Sequence, residues 1–483
     1  MYYHSTRNKN GRYTASQAVL KGLADDGGLF VPSEIPNVAN ELEEMAKLPY
    51  AKLCHKVICK FFEEFACDKE FEADVMRAYQ KFDTPDAVQL KKTDEACYME
   101  LYHGPTCAFK DFALSVLPYE IRAAKRNLGI TKDYAILTAT SGDTGKAALE
   151  AFRGQDGFKI AVVYPKNGVS KIQELQMNST SESNTFVCGL SGNFDECQTL
   201  VKEMFADKYK DIEISSANSI NIGRLVPQIA YYFFTYLQLV KDGQISMGQK
   251  INFCVPTGNF GDILAGYIAK QMGLPVAKLI CASNKNKILT DFFATGVYDK
   301  RREFYTTMSP SMDILISSNF ERLLWLITKD DKFVAKCMQD LKEQGYFAAK
   351  ELLPKLDDFV AGFADEAETS KEIARVFNKE HYLIDTHTAV ASSVAHRTAI
   401  DGYTVVLSTA SPYKFCTSVV ESLGKTADKT NEFKVLDDLQ EISGTVAPKS
   451  LAALKTTKRH HNNSGSVKEV KTMIKNFLEH KNA

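Results

Sequence analysis

One lysine in this sequence stands in surroundings suited to covalent chemistry, the Lys110 of HGPTCAFKDFA (His103–Ala113). Apolar neighbours disfavour an ammonium, so Phe109 and Phe112 would hold Lys110 towards the free amine, a nucleophile able to form an imine. The alternative is a solvated charge, the usual fate of a lysine. Three other segments place glycines or hydroxyls at the ends of apolar runs. In TSGDTG (Thr140–Gly145), which follows YAILTA, the glycines let a ligand approach the backbone, and the start of the next helix attracts an anion. The same residues also suit a capped tight turn. In PTGNFGD (Pro256–Asp262), Gly258 and Gly261 frame Asn259 and Phe260 in a turn whose N–H groups can ring a phosphate. Its plainer reading is a loop in which Asp262 caps the helix DILAGYIAKQMG. In STASPYKF, which follows GYTVVLS, Ser408 and Thr409 fall at a strand end, where a hydroxyl can bond a neutral ring nitrogen or a backbone group.

Several other chemistries are excluded. TSGDTG is not a Walker loop, because Thr140 replaces the first glycine and Lys146 is followed by Ala147. No G-x-G-x-x-G fingerprint occurs, which argues against a dinucleotide. The 11 cysteines form no C-x-x-C pair and are odd in number, so reduced thiols are expected rather than disulfides or a zinc ribbon. His103 and Cys107 are separated by Gly104 and Pro105, which break any helix that would present both to a metal, and no metal is expected.

The elements that position these groups follow from hydrophobic periodicity. From Tyr134 onward, short β-branched runs alternate with amphipathic segments: YAILTAT with GKAALEAF, KIAVVYP with SKIQELQM, NTFVCGL with FDECQTLVKEMF. The pattern restarts at INFCVPTG and again at GYTVVLST, which predicts two open parallel-sheet α/β domains with a ligand cleft beyond the strand ends. Residues 1–92 read as a mostly helical N-terminal cap, 93–110 with 217–423 as the large domain, 111–216 as the small domain, and 424–483 as a C-terminal extension. At the end of that extension, Ser466 and Glu469 form a capping-box pattern before an apolar stripe of Val467, Val470, Met473, Ile474, Phe477 and Leu478. Such a stripe docks either on the protein body or on a membrane surface.

With 483 residues, 45% hydrophobic and 25% charged, the chain is long enough for two or three domains. Its 59 Lys+Arg against 60 Asp+Glu leave a net charge of -1, without the broad field that nucleic acid or an anionic membrane would require. The most apolar window, Leu225 to Val240, is too short to span a bilayer and reads as a buried helix. MYYHSTRNKNGRY shows no export or transit pattern, so a cytoplasmic location is expected.

HGPTCAFKDFA, TSGDTG, VSKIQELQM (Val169–Met177), NSINIGR (Asn218–Arg224), PTGNFGD and STASPYKF, in this order, resemble threonine synthases of the bacterial and fungal type. The opening YYHSTRN and ASQAVLKGLADDGGLFVP share the resemblance, which extends to about Glu421. It implies a fold-type II α/β enzyme dependent on pyridoxal 5'-phosphate, acting as a monomer or homodimer on a small molecule, O-phospho-L-homoserine, to give L-threonine and phosphate. By resemblance Lys110 forms the imine with the cofactor, and Gly258, Asn259, Phe260, Gly261 and Asp262 hold its phosphate. Thr409 bonds the pyridine nitrogen, while Ser141, Gly142, Asp143 and Thr144 meet the substrate. Asn221 and Arg224 lie near the substrate, with Arg224 as the cation for its phosphate. Four positions depart from the family pattern: Gly168 replaces a Lys or Arg, Ile222 a tryptophan, Thr386 a proline and Ser411 a histidine. They bear on substrate identity more than on cofactor binding. Two rival readings are a phospho-lyase releasing a 2-oxo acid and a catalytically silent, ligand-binding relative.

Overall fold

A computed structural model describes residues 1–140, 142–205, 207, 209, 211–398 and 400–479. Its largest sheet has six strands in the order Phe359–Phe363, Val276–Ser283, Ile251–Pro256, Thr404–Ser408, Cys97–Glu100, Gln89–Lys92. All neighbours are parallel except the last pair. Alternate side chains of these strands enter different cores, as the two-residue period of a strand requires. Phe253, Val255, Leu279 and Leu407 pack with the helix Ile222–Lys241, whereas Cys254, Ile280 and Val406 pack with the helix Thr386–Arg397. Burial on both faces explains why INFCVP is an unbroken apolar run. The window Leu225–Val240 lies inside the buried helix Ile222–Lys241. Among the described residues, no helix is long and apolar enough to cross a membrane.

The second sheet has five parallel strands in the order Asn463–Gly465, Thr185–Leu190, Phe158–Pro165, Asp133–Ala139, Ile212–Ser216. Here too, Ile136, Ile160 and Val162 face one core, and Leu137, Val163 and Cys188 the other. That second core is completed by Val470, Ile474 and Leu478 of the helix Val467–Glu479, so its apolar stripe docks on the protein body. Phe477 stacks on Phe186 with ring centroids 5.3 Å apart, and the Ser466 N–H donates to Glu469 at 2.8 Å, as the capping pattern anticipates.

Two short strands fall outside the division expected from sequence. Gln89–Lys92, placed in the cap, is the antiparallel edge of the large sheet, and Asn463–Gly465, placed in the extension, is the edge of the small one. The cap contains the helices Ala15–Lys21, Tyr50–Phe61 and Lys69–Tyr79, but also an unexpected three-stranded antiparallel sheet of Asn8–Tyr13, Tyr3–Ser5 and Phe30–Pro32. Two of its strands have three residues each, and the third, NKNGRY, is polar and mostly exposed. None of the three offers a stretch of alternation long enough to read.

Candidate active site

Lys110 opens the short helix Lys110–Leu114, and the turn before it is fixed by the next residue, Asp111. The Asp111 carboxylate accepts the Thr106 N–H at 2.8 Å and the Thr106 hydroxyl at 2.6 Å. A Cβ on Gly104 would stand 2.5 Å from Asp111, so this turn requires glycine there. The two flanking phenylalanines divide the work. Phe112 is fully buried against Tyr50 and Phe82, and the Phe109 ring lies 5.1 Å from the Lys110 Nζ. Burial pushes the Lys110 amine below its ordinary value, Asp143 opposes this, and Lys414 and Arg224 reinforce it. The amine is thus disfavoured as a cation, with Phe109 beside it, Phe112 packed into the core and two cations adding to the effect.

Asp143, at the start of the helix Asp143–Phe152, brings the small domain to this amine. One carboxylate oxygen is 2.7 Å from the Lys414 Nζ and accepts the Gln173 amide at 3.1 Å. The other is 3.6 Å from the Lys110 Nζ and accepts the Ser311 hydroxyl at 3.2 Å. Burial alone would raise the Asp143 carboxyl, but Lys414 and Lys110 hold it well below the ordinary carboxylate range. Gly142 has φ 136°, and a Cβ there would meet the Gln173 amide at 2.5 Å, so close packing of the loop on the helix Lys171–Asn178 requires glycine. Thr144 is half-buried on the first turn, and Ser141 lies outside the described residues.

PTGNFGD joins the strand Ile251–Pro256 to the helix Gly261–Gln271. The N-cap position belongs to Phe260, at φ 63°, and not to Asp262 as the plain reading held. Asp262 instead turns into the core, where it accepts the hydroxyls of Tyr231 at 2.6 Å and Tyr232 at 2.9 Å, and burial lifts its carboxyl to about 6. Among the described residues, the backbone N–H groups of Gly258, Asn259 and Phe260 reach no acceptor. The first N–H groups of any helix are likewise unpaired within it. N–H groups left free in this way suit an anion, and the residues present fit the phosphate of the cofactor implied by resemblance. Gly258 is the loop's tightest point, because a Cβ would stand 2.6 Å from the Ser311 carbonyl oxygen, whereas one on Gly261 would come no closer than 3.4 Å, to the Asn319 amide. Gly258→Ala is therefore expected to lower cofactor retention by about tenfold and destabilise by about 1–3 kcal/mol, with Gly261→Ala close to wild type. Cofactor absorbance after dialysis measures this; equal retention in both variants would remove Gly258 as the critical contact.

Of the two strand-end hydroxyls, Ser408 is bonded to the Thr388 hydroxyl at 3.0 Å, and Thr409 lines the cleft with Phe109, Lys110, Asp143, Ser311 and His387. Arg224 is buried, its Nε has no partner among the described residues, and burial brings its guanidinium down to about 10. Asn221 is not free to meet a substrate. It caps the helix Ile222–Lys241 by accepting the Gly223 N–H at 2.9 Å, and its amide donates to Val19 and Ser216 carbonyls. Two departures from the family pattern are equally internal: Ile222 is buried and Ser411 caps the turn Pro412–Phe415.

Sequence reasoning missed Ser311, His387 and Lys414 as site residues. His387 accepts the Ser311 N–H on Nε2 at 3.1 Å, and its Nδ1 is 2.7 Å from Asp385. Lys414 is fully buried and also donates to the Thr106 carbonyl at 2.9 Å. A lysine between aromatic residues, Tyr413 and Phe415, was the available signal for Lys414, the same one that singled out Lys110.

Comparison with known proteins covers nearly the whole chain. Family models match in succession: threonine synthase N terminus over residues 2–79, pyridoxal-phosphate dependent enzyme over residues 87–410, and threonine synthase C-terminal over residues 388–474. The threonine synthase of Schizosaccharomyces pombe is 37% identical over 474 residues, 90% of this chain and 91% of its own. That of Pseudomonas aeruginosa is 37% identical over 96% of this chain and 99% of its own. The crystal structure of pyridoxal-phosphate-bound threonine synthase from Brucella melitensis superposes with a TM-score of 0.88 at 37% identity, covering 99% of each chain.

Proposed function

Because the chain belongs to the threonine synthase family of pyridoxal-phosphate enzymes, with their fold-type II architecture, we propose that it converts O-phospho-L-homoserine and water into L-threonine and phosphate at the cleft around Lys110. The observation that carries the residue assignment is the half-buried Lys110, its Nζ 3.4 Å from the Ser311 hydroxyl and 3.6 Å from the Asp143 carboxylate, in surroundings that lower its pKa. Bound pyridoxal phosphate supplies an electron sink that acidifies the carbons next to the substrate amine. Lys110 would carry the cofactor and, as a free amine, would hold and move protons between the substrate carbons at its Nζ. The N–H groups of Gly258, Asn259, Phe260 and Gly261 bind the cofactor phosphate, with Asp262 bracing the loop on Tyr231 and Tyr232. Thr409 offers the ring nitrogen a neutral hydroxyl, which tempers the sink and favours replacement at Cβ and Cγ over racemisation. Gly142, Asp143 and Thr144, with Ser141, meet the substrate from the small domain, and the unpartnered Nε of Arg224 supplies positive charge for an anionic group.

The same reading takes the protein as a cytoplasmic monomer or homodimer; its eleven unpaired cysteines support a reducing compartment. The deciding experiment incubates the purified protein with O-phospho-L-homoserine and identifies the organic product. Threonine and phosphate are expected in equal amounts. A 2-oxo acid with ammonia would make the protein a phospho-lyase, and no product from a cofactor-loaded protein would make it a silent relative.

A further inference from the structure

The Lys110 amine is held by a chain of contacts that the reaction itself does not call for. Its Nζ donates to the Ser311 Oγ at 3.4 Å and lies 3.6 Å from the Asp143 Oδ2. The Ser311 hydroxyl proton is committed to that same Oδ2 at 3.2 Å, so the oxygen faces Lys110 with a lone pair. Ser311 belongs to the one-turn segment Pro310–Met312, and its backbone N–H is taken by the His387 Nε2 at 3.1 Å. An Nε2 that accepts an N–H carries no proton, so the ring proton is on Nδ1, directed at the Asp385 Oδ2 at 2.7 Å. Asp385 is fixed in turn as the N-cap of the helix Thr386–Arg397, accepting the N–H groups of His387 at 2.9 Å and Thr388 at 3.0 Å. Asp385 and His387 are both buried, and the His387 ring lies against Phe415 with centroids 4.8 Å apart.

The geometry points to Ser311 as a further catalytic residue that aims the Lys110 amine, with His387 and Asp385 as positioning residues that hold Ser311 in place. A neutral amine has two N–H bonds and one lone pair. With one N–H on the Ser311 Oγ and the other towards Asp143, a single direction remains for the lone pair, away from both, in a pocket whose lining also includes Phe109, Thr409 and Ala410. Attack on the cofactor aldehyde uses that lone pair to form the C–N bond, and the aldehyde oxygen departs as water with both amine protons. Orientation of this kind is worth about 10- to 100-fold in rate. The inference rests on Lys110 being the amine that carries the cofactor.

The test separates attachment from binding. Apoprotein is mixed with pyridoxal 5'-phosphate, and the rate of covalent attachment is followed by absorbance. Affinity for pyridoxine 5'-phosphate, which has no aldehyde, reports the phosphate cradle alone. Ser311→Ala is expected to slow attachment about 10- to 100-fold while leaving pyridoxine phosphate affinity unchanged. His387→Ala should slow it similarly, His387→Gln should recover it because an amide oxygen can accept the Ser311 N–H, and the double variant Ser311→Ala/His387→Ala should be no slower than Ser311→Ala. Attachment at the wild-type rate in Ser311→Ala, or a loss of pyridoxine phosphate affinity that matches the loss of rate, would overturn the proposal. Slowing in His387→Ala that Gln does not recover, or that adds to the Ser311 effect, would remove His387 from it. Borohydride reduction and peptide mapping of the wild type test the premise by themselves. Label away from Lys110 removes premise and proposal together, whereas label on Lys110 with an unaffected Ser311→Ala removes the proposal alone.

Discussion

Lys110→Ala gives a folded protein that binds pyridoxal phosphate without attaching it and loses turnover by at least about 10³-fold, the scale of removing a positioned proton-transfer group. The fold survives because this lysine does little for stability. Its amine is drawn out of water and lies within the fields of Lys414 and Arg224, which disfavour the charge that the unfolded chain would carry. The consequence has a definite sign. A lysine whose folded pKa is depressed binds fewer protons folded than unfolded, between its folded value and the ordinary lysine value of 10.5. Across that window the wild-type apoprotein gains stability as pH rises. Lys110→Ala loses that gain, so the stability difference between the two apoproteins should change with pH only in that window. Denaturant unfolding at a series of pH values measures this, and borohydride trapping identifies the attached residue. A variant that still traps cofactor, or a difference that is flat across the alkaline range, would remove Lys110 from its role.

How far the sequence reached depends on whether a feature is local. The strand and helix runs that build both sheets were legible because parallel strands buried on two faces leave unbroken apolar stretches such as INFCVP and KIAVVYP. Lys110 and Asp143 were legible for a related reason, each standing in a short motif at an element boundary. Ser311 could not be found this way. Nothing within SPSMD marks it, and its place is set by His387, 76 positions away, and Asp143, 168 positions away. Asp262 and Asn221 failed in the opposite direction. The motif of Asp262 was read as a loop before a helix, but Asp262 is drawn into the core by two tyrosines of another helix. Asn221 does cap its own helix, and spends its amide donors on Val19 and Ser216. Local propensity identifies a polar residue at a helix start; packing elsewhere in the chain decides whether it faces ligand or core.

Asp143→Asn tests the charge balance on which this cleft depends. The substitution keeps the shape of the side chain but leaves Lys414, fully buried, with only the Thr106 carbonyl and a neutral amide for partners. Breaking one side of a buried pair costs about 3–5 kcal/mol, because the remaining charge keeps its desolvation penalty without its counter-ion. Lys110 responds as well. The Asp143 field is what raises its amine against burial, so the variant should hold the amine neutral at still lower pH. The acid limb of the cofactor-attachment rate should move down in pH, while turnover falls because Asp143 no longer orients Ser311 and Gln173. Stability supplies the opposing check. Asp143 has a folded pKa depressed below the ordinary aspartate value of 3.8, so its stabilisation is complete above that value and disappears as pH falls through the depressed one. The carboxylate's own share of the wild type's margin over Asp143→Asn should therefore persist through neutrality and be lost only in strong acid, while the lower Lys110 pKa of the variant narrows the margin as pH rises between the two Lys110 values. An acid limb that moves upward, or a margin that widens as pH rises through that interval, would mean that Asp143 is not the anion holding Lys110 and Lys414 together.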